Sequence, residues 1–220
     1  MDGSYFKPWI LSLEVAGIAT LAAAVAAIPL GYLLARKRFA GRFLIESVVV
    51  LPLVLPPTVV GFLLMYLIGA RGVYGWLTGG ENMLFTVWAA ILASAVVSFP
   101  LQVLPVRAAF AATLKEYDEE ARMAGLNWWQ RFIYVQMPLA RGGILSGLLL
   151  GFARALGEFG ATLMLVSTGD RTRTLPIQIY LDAGPTGDFA AAWPAVVALG
   201  CTSLLVIVVV NRMRWLDAEK

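Results

Sequence analysis

Two ionisable residues, Arg154 and Glu158, stand four apart inside a long apolar run. On a helix that spacing puts both on one face. Counted from Ile144 at 1.5 Å per residue, Arg154 falls about 15 Å along, near the middle of a bilayer. A lone charge at that depth costs at least about 2.5–3.5 kcal/mol, so the pair faces protein or a path, not lipid. Two roles fit. The residues neutralise each other and hold their helix against a neighbour, or a charge lines a route across the membrane. Other chemistry has few candidates. The chain has no histidine, and its one cysteine, Cys201, lies in another apolar run. A His or Cys metal site, His-based acid–base catalysis and a disulfide framework are thereby excluded, and no cofactor is expected. No G-x-x-x-x-G-K-[ST] segment occurs, so the chain does not cradle ATP phosphates in that way.

The elements that carry this pair must suit a bilayer. Of 220 residues, 60% are hydrophobic and 14% charged, whereas soluble domains are about 45–50% apolar and about 25% charged. The net charge of +3 is too slight to indicate a nucleic-acid partner. The length suits a single transmembrane domain over 1–220. Five apolar stretches, 9–34, 44–68, 84–106, 144–166 and 190–210, are each long enough to cross a core of about 30 Å as a helix. Helices are required because lipid offers the backbone no hydrogen-bond partners. The expected fold is all-α, a polytopic helix bundle.

Orientation follows from charge. Arg36, Lys37, Arg38 and Arg42 follow the first span; Arg107, Lys115, Arg122, Arg131 and Arg141 lie between the third and fourth; Arg212, Arg214 and Lys220 form the tail. The other side holds only Lys7, Arg71, Arg171 and Arg173. The positive-inside rule then puts the N-terminus outside and the C-terminus in the cytoplasm. Tyr5, Trp9, Tyr74, Trp76 and Trp193 fall near the outer boundary, where amphipathic rings settle. The first span is expected to be retained rather than cleaved, because its basic cluster follows the apolar run instead of preceding it.

Two spans carry helix-breaking or small residues. Pro52, Pro56 and Pro57 interrupt the second, and each proline removes a helix hydrogen bond. Gly143, Gly147 and Gly151 recur every four residues in the fourth, a face suited to close helix contact. Both features fit ordinary bundle packing, and both fit a hinged helix lining a path that opens and closes.

The loop over 107–141 is the longest polar segment. Lys115 to Ala124 reads as a helix, with Asp118 a possible N-cap and acidic residues in its first turn. Gly125 suits a left-handed helix end. A second, aromatic segment from Trp128 to Met137 runs to Pro138 and back into the membrane. Charge and capping alone describe a solvated helix at the bilayer surface.

The same loop resembles the EAA loop of ABC-importer permeases, E-A-A-x-x-x-G followed nine residues on by I-x-L-P. The matching positions are Glu119, Glu120, Ala121, Gly125, Val135, Met137 and Pro138. The spacing fits throughout, while Glu120 replaces an alanine and Val135 and Met137 replace isoleucine and leucine. Residues 51–61, LPLVLPPTVVG, are similar to the second core span of molybdate permeases, and residues 152–162, FARALGEFGAT, to their fourth. Residues 172–176, TRTLP, resemble the external loop that follows, and sulfate permeases share the Gly-Glu-Phe-Gly block. The resemblance implies a type I importer permease in a prokaryotic plasma membrane, translocating an oxyanion, molybdate before sulfate or tungstate. It implies a homodimer, a cytoplasmic ATPase dimer and an external substrate-binding protein as partners. If the pair is functional rather than a packing pair, Arg154, doubled by dimer symmetry, presents positive charge to the oxyanion, and Glu158, Pro56 and Pro57 are the other candidates for the path. A self-sufficient secondary transporter would instead show inverted repeats and several deep carboxylates. A membrane enzyme would cluster His, Asp or Cys at one surface. The sequence shows none of these features.

Overall fold

The computed structural model of the chain describes residues 5–218 apart from 114, 167, 168, 170 and 186, with the backbone alone for 210 and 213–218. Among the described residues every regular element is helical. In chain order they are α1 (Phe6–Arg36), α2 (Arg42–Val54), α3 (Pro57–Ile68), α4 (Val73–Thr78), α5 (Val87–Ala112), α6 (Lys115–Met123), α7 (Trp128–Arg131), a π-helical turn (Phe132–Gln136), α8 (Met137–Leu139), α9 (Arg141–Leu156), α10 (Gly160–Leu165), α11 (Leu175–Ala183) and α12 (Phe189–Ala218).

α5 is the centre of the bundle. Thr86 starts it by accepting a hydrogen bond from the Ala89 N–H at 3.3 Å, satisfying one donor that a helix start leaves open. α1 packs most extensively on it, through an alanine face of Ala16, Ala19, Ala23, Ala24 and Ala27 that is buried throughout. Small side chains let two helices approach closely where lipid supplies no hydrophobic drive for association. α9 packs on another side of α5 through the glycine stripe. A Cβ on Gly147 would meet Gln102 O at 2.9 Å, and one on Gly143 or Gly151 would collide with Ala109 or the Gln102 side chain. Large apolar residues stay exposed on α2, α3 and α12, among them Phe43, Leu44, Val54, Phe62, Leu204 and Leu205, as faces turned to lipid or to a partner require.

Four helical stretches are long and apolar enough to cross a membrane: Phe6–Arg36, Pro57–Thr78, Val87–Ala112 and Phe189–Val209. A fifth arises if Trp128–Leu139 and Arg141–Leu156, bent by 74°, count as one. The apolar stretches read from the sequence are broken in two places, and α5 runs past the third stretch to Ala112, into the segment read as loop. The stretch 44–68 is two helices, because Leu55 precedes Pro56 and takes an extended conformation (φ −69°, ψ 143°), as steric conflict with a following proline ring demands. The stretch 144–166 is also two, α9 ending at Leu156 and α10 starting at Gly160. Glu158 therefore sits beyond the end of α9, not on a continuous helix face.

The ends of the bundle are tied. At one end Glu46 lies between Arg42 (2.7 Å) and Arg107 (3.2 Å), joining α2 to α5. At the other, the Leu175 N–H donates to Ser12 Oγ at 2.8 Å, fastening α11 to α1. There, too, the Phe85 N–H donates to Leu165 O at 2.8 Å.

Candidate functional site

The loop between α5 and α9 is built from two helical pieces and a glycine turn. α6 ends because Gly125 is left-handed, at φ +84°. The Leu126 N–H bonds Ala121 O at 3.1 Å and the Gly125 N–H bonds Arg122 O at 3.0 Å. This paired closure satisfies the last carbonyls of the helix and needs a residue without a Cβ at the turn. A Cβ on Gly125 would touch nothing within 4 Å, so only backbone strain, not crowding inside this chain, selects glycine there. α7 then starts on a reciprocal cap. Asn127 Oδ1 accepts from the Gln130 N–H, and Gln130 Oε1 accepts from the Asn127 N–H, both at 2.9 Å.

α6 buries no residue. Glu119 and Glu120 are exposed, and Ala121 is half-buried. Tyr117, Glu120, Ala121 and Ala124 face Val135 and Pro138 across an open, mostly apolar groove. Sequence positions ten or more apart thus meet at one surface. Met137 turns away from the groove and packs against a buried cluster of Val106, Phe110, Phe132, Ala140 and Ile144. Rings anchor the second segment. Trp128 stacks on Phe132 (5.7 Å, 8°), and Phe132 meets Tyr32 of α1 edge-on at 5.0 Å and Phe110 of α5 at 6.1 Å. Aromatic pairs of this geometry contribute about 0.5–1.5 kcal/mol each beyond area burial, and of these rings Phe132 and Phe110 are buried while Trp128 is exposed. The segment is therefore a rigid base, and α6 is the exposed piece mounted on it.

Polar residues that motif reasoning passed over join the two pieces. Asp118 does not cap α6, which already begins at Lys115. Its carboxylate accepts from Gln136 Nε2 at 3.1 Å and lies 3.6 Å from Arg131 Nη1. Gln136 Oε1 in turn accepts from Arg36 Nη2 at 2.8 Å. One sequence signal was present: Gln136 is the lone uncharged polar side chain in an apolar run, Phe132 to Met137, apart from the Tyr134 hydroxyl.

The charged pair lies at the break after α9. Arg154 Nη1 is 2.7 Å from Glu158 Oε2. That oxygen makes no aligned hydrogen bond, so the contact is an ion pair by proximity. Glu158 Oε1 accepts from the Ala161 N–H at 2.8 Å, closing the first turn of α10. The Glu158 side chain is 1% exposed and that of Arg154 27%. The carboxylate is therefore held inside, while the guanidinium reaches an accessible surface. The break sits beside the other interrupted helix: a Cβ on Gly160 would lie 2.9 Å from Pro57 Cβ, and one on Gly61 2.8 Å from Ala161 Cα. Pro56 and Pro57 themselves are exposed. The structure thus brings Arg154, Glu158 and Pro57 to one region, where two discontinuous helices pass side by side. Such backbone at membrane depth is tolerated where it is buried in protein or lines a cavity.

Residues 27–219 match the family described as binding-protein-dependent transport system inner membrane components. The chain belongs to that family. Among relatives of this transport component, a putative molybdenum transport system permease protein of Bacillus subtilis (strain 168) is 37% identical, over 96% of this chain and 94% of its own. The molybdenum transport system permease protein ModB of Escherichia coli (strain K12) is 41% identical, over 90% of this chain and 89% of its own. The fold matches a bacterial alginate ABC transporter solved with its pentasaccharide-bound periplasmic protein (TM-score 0.77, 17% identity, 97% of this chain and 79% of that one). It also matches the inward-facing MetNI methionine ABC transporter (TM-score 0.70, 17% identity, 97% and 98%). The all-helical bundle is therefore an ABC-transporter permease fold. The chain is an inner membrane component of a transport system, a permease that works in the bilayer.

Proposed function

We propose that residues 1–220 form one permease domain of an ATP-driven importer of molybdate. The observation that carries the reading is the similarity, at 36–42% identity, to molybdenum transport permeases over most of the chain. The loop geometry supports the coupling part: an exposed helix closed by Gly125 stands on an aromatic base that continues, through a 74° bend, into α9. In this reading two copies pair, a cytoplasmic ATPase dimer grips α6 of each, and an external binding protein delivers the anion. Glu119, Glu120, Ala121 and Gly125 form the docking piece; Val135, Met137 and Pro138 form the base that passes the push to α9. The subunit itself catalyses no covalent step. The basic residues of 36–42, 107–141 and the tail face the cytoplasm, and the N-terminus lies outside. The meeting of Arg42, Glu46 and Arg107 at one end of the bundle supports that sorting.

The path runs where the broken helices adjoin. Arg154 offers the passing oxyanion a charge, and Glu158 holds the guanidinium in place. A molybdate ion is doubly negative, so each fixed cation lowers its cost of leaving water. The test is uptake of radiolabelled molybdate into vesicles. This chain together with its ATPase and binding protein should import molybdate only with ATP inside reach of the ATPase, with excess tungstate and sulfate as competitors. Uptake by the chain alone, driven by an ion gradient, would overturn the reading in favour of a secondary transporter. Preferential competition by sulfate would reassign the substrate.

A further inference from the structure

We propose that Gln136 is a positioning residue that clamps α6 to the end of α1, so that the two move as one body when the loop is pushed. The inference rests on the coupling role proposed above and adds a second route for the push, besides the chain itself through Pro138.

The observation is a buried amide between opposite charges on two different elements. Gln136 is fully buried and closes the π-helical turn just before the 74° bend into α9. Its Oε1 accepts from Arg36 Nη2, on the last residue of α1, at 2.8 Å. Its Nε2 donates to Asp118 Oδ1 of α6 at 3.1 Å. Arg36 Nη2 also donates to Thr113 O at 3.1 Å, at the end of α5. Asp118 is steadied from its other oxygen by Arg131, 3.6 Å away. The neighbouring charges fix which way the amide points. Turned over, its N–H would face the guanidinium and its oxygen the carboxylate, and both contacts would be repulsive. Both hydrogen bonds involve a charged partner, and such bonds are stronger than neutral ones. Glutamine suits the place because it accepts at one atom and donates at the other. Glutamate would repel Asp118, and leucine would join neither partner.

α6 has no buried residue of its own. Among the described residues the Gln136 amide is the side-chain hydrogen-bond link from α6 to the base that bears it. Through Arg36 that link continues into α1, the helix that packs most extensively on α5. A displacement of α6 is therefore shared with the bundle core at α1. Without the amide, α6 would keep its backbone connections and the longer Asp118–Arg131 contact but lose its tie to α1, and the push would reach α9 attenuated.

The experiment uses the whole transporter reconstituted in vesicles, with Gln136→Leu, Gln136→Glu and the double variant Gln136→Glu with Asp118→Asn. In the double variant the acidic group moves to position 136, where it still accepts from Arg36, and the amide introduced at position 118 donates to it. Both single variants should keep the ATPase bound and hydrolysing near the wild-type rate. Their uptake per ATP hydrolysed should fall by about tenfold or more, the scale expected for losing a charge-assisted hydrogen bond from the clamp. The double variant should recover it. A core residue that merely packs would lower assembly, hydrolysis and uptake in parallel, and the charge exchange would not rescue it; that pattern overturns the proposal, as does wild-type uptake per ATP in either single variant. A second readout keeps the test separate from the coupling role. Spin labels at Lys37 and Arg122, in a Cys201→Ser background, should give a narrow distance distribution in the wild type and the double variant and a broad one in Gln136→Glu. Equal widths would overturn the clamp even in a chain that binds no ATPase. A wild-type chain that binds no ATPase yet shows the narrow-to-broad change would refute the coupling role and leave the clamp standing.

Discussion

Replacing Arg154 by leucine removes the cation from a carboxylate that is 1% exposed. Breaking a buried pair from one side costs about 3–5 kcal/mol. The case falls at the lower end, because Glu158 Oε1 keeps its bond from the Ala161 N–H. A loss of about 3 kcal/mol corresponds to an apparent midpoint lowered by about 6–12 °C at this chain length. The second substitution must respect the cap on α10. Arg154→Leu with Glu158→Gln leaves an oxygen to accept from Ala161 and should restore most of the midpoint. Arg154→Leu with Glu158→Leu leaves that N–H open and should remain about 1 kcal/mol short. The assay is thermal unfolding of purified permease in lipid nanodiscs, followed by uptake in vesicles. If Arg154 serves the anion, the Gln-containing double variant is stable and still deficient in uptake. A midpoint unchanged by Arg154→Leu would refute the burial reasoning, and full uptake in the stable double variant would remove Arg154 from the path.

Other consequences are open to direct measurement. At Gly125 the left-handed φ of +84° costs a residue with a Cβ about 1–2 kcal/mol; Asn tolerates that region best, so α6 helicity and uptake should fall in the order Gly, Asn, Ala, Val, and equal uptake in all four would detach the turn from coupling. The Gln102 amide is buried with neither polar atom partnered, so Gln102→Leu should leave stability unchanged or raised by about 1–3 kcal/mol, seen as a higher unfolding midpoint. Gly151→Val should lower that midpoint sharply, because its side chain would collide with Gln102. Reporter fusions at Gly80 and Gly184 should read outside and fusions at Gly125 and Lys220 inside; a cytoplasmic signal at Gly184 would overturn the orientation.

Much of this arrangement was legible in the residues themselves. Uniformly apolar runs announce helices whose partner is lipid, and the Gly143, Gly147 and Gly151 spacing announced the face that meets α5. Gly125 was readable as a helix stop because few residues other than glycine suit a positive φ. The interruption at Pro56 was readable too, though not that it would separate two helices completely. What escaped depended on distance in sequence. Asp118 looked like a cap because local spacing allows it, yet Gln136 and Arg131, 18 and 13 residues on, take its oxygens. Glu158 looked like the next turn of a helix, but α9 ends at Leu156 and the carboxylate closes α10 instead. The clamp through Arg36 spans 100 residues, and no periodicity reports a contact of that range.

In the proposed function, the exposed helix between α5 and α9 grips a separate ATPase. A photo-crosslinking residue placed singly at Glu119, Ala121 or Met123, which lie on α6, tests it most directly, with Trp76 at the far end of α3–α4 as the comparison. A crosslinked band of permease plus ATPase is expected from the α6 positions and none from Trp76, in vesicles that still import molybdate. Crosslinking to the ATPase from Trp76, or none from any α6 position while import continues, would contradict it.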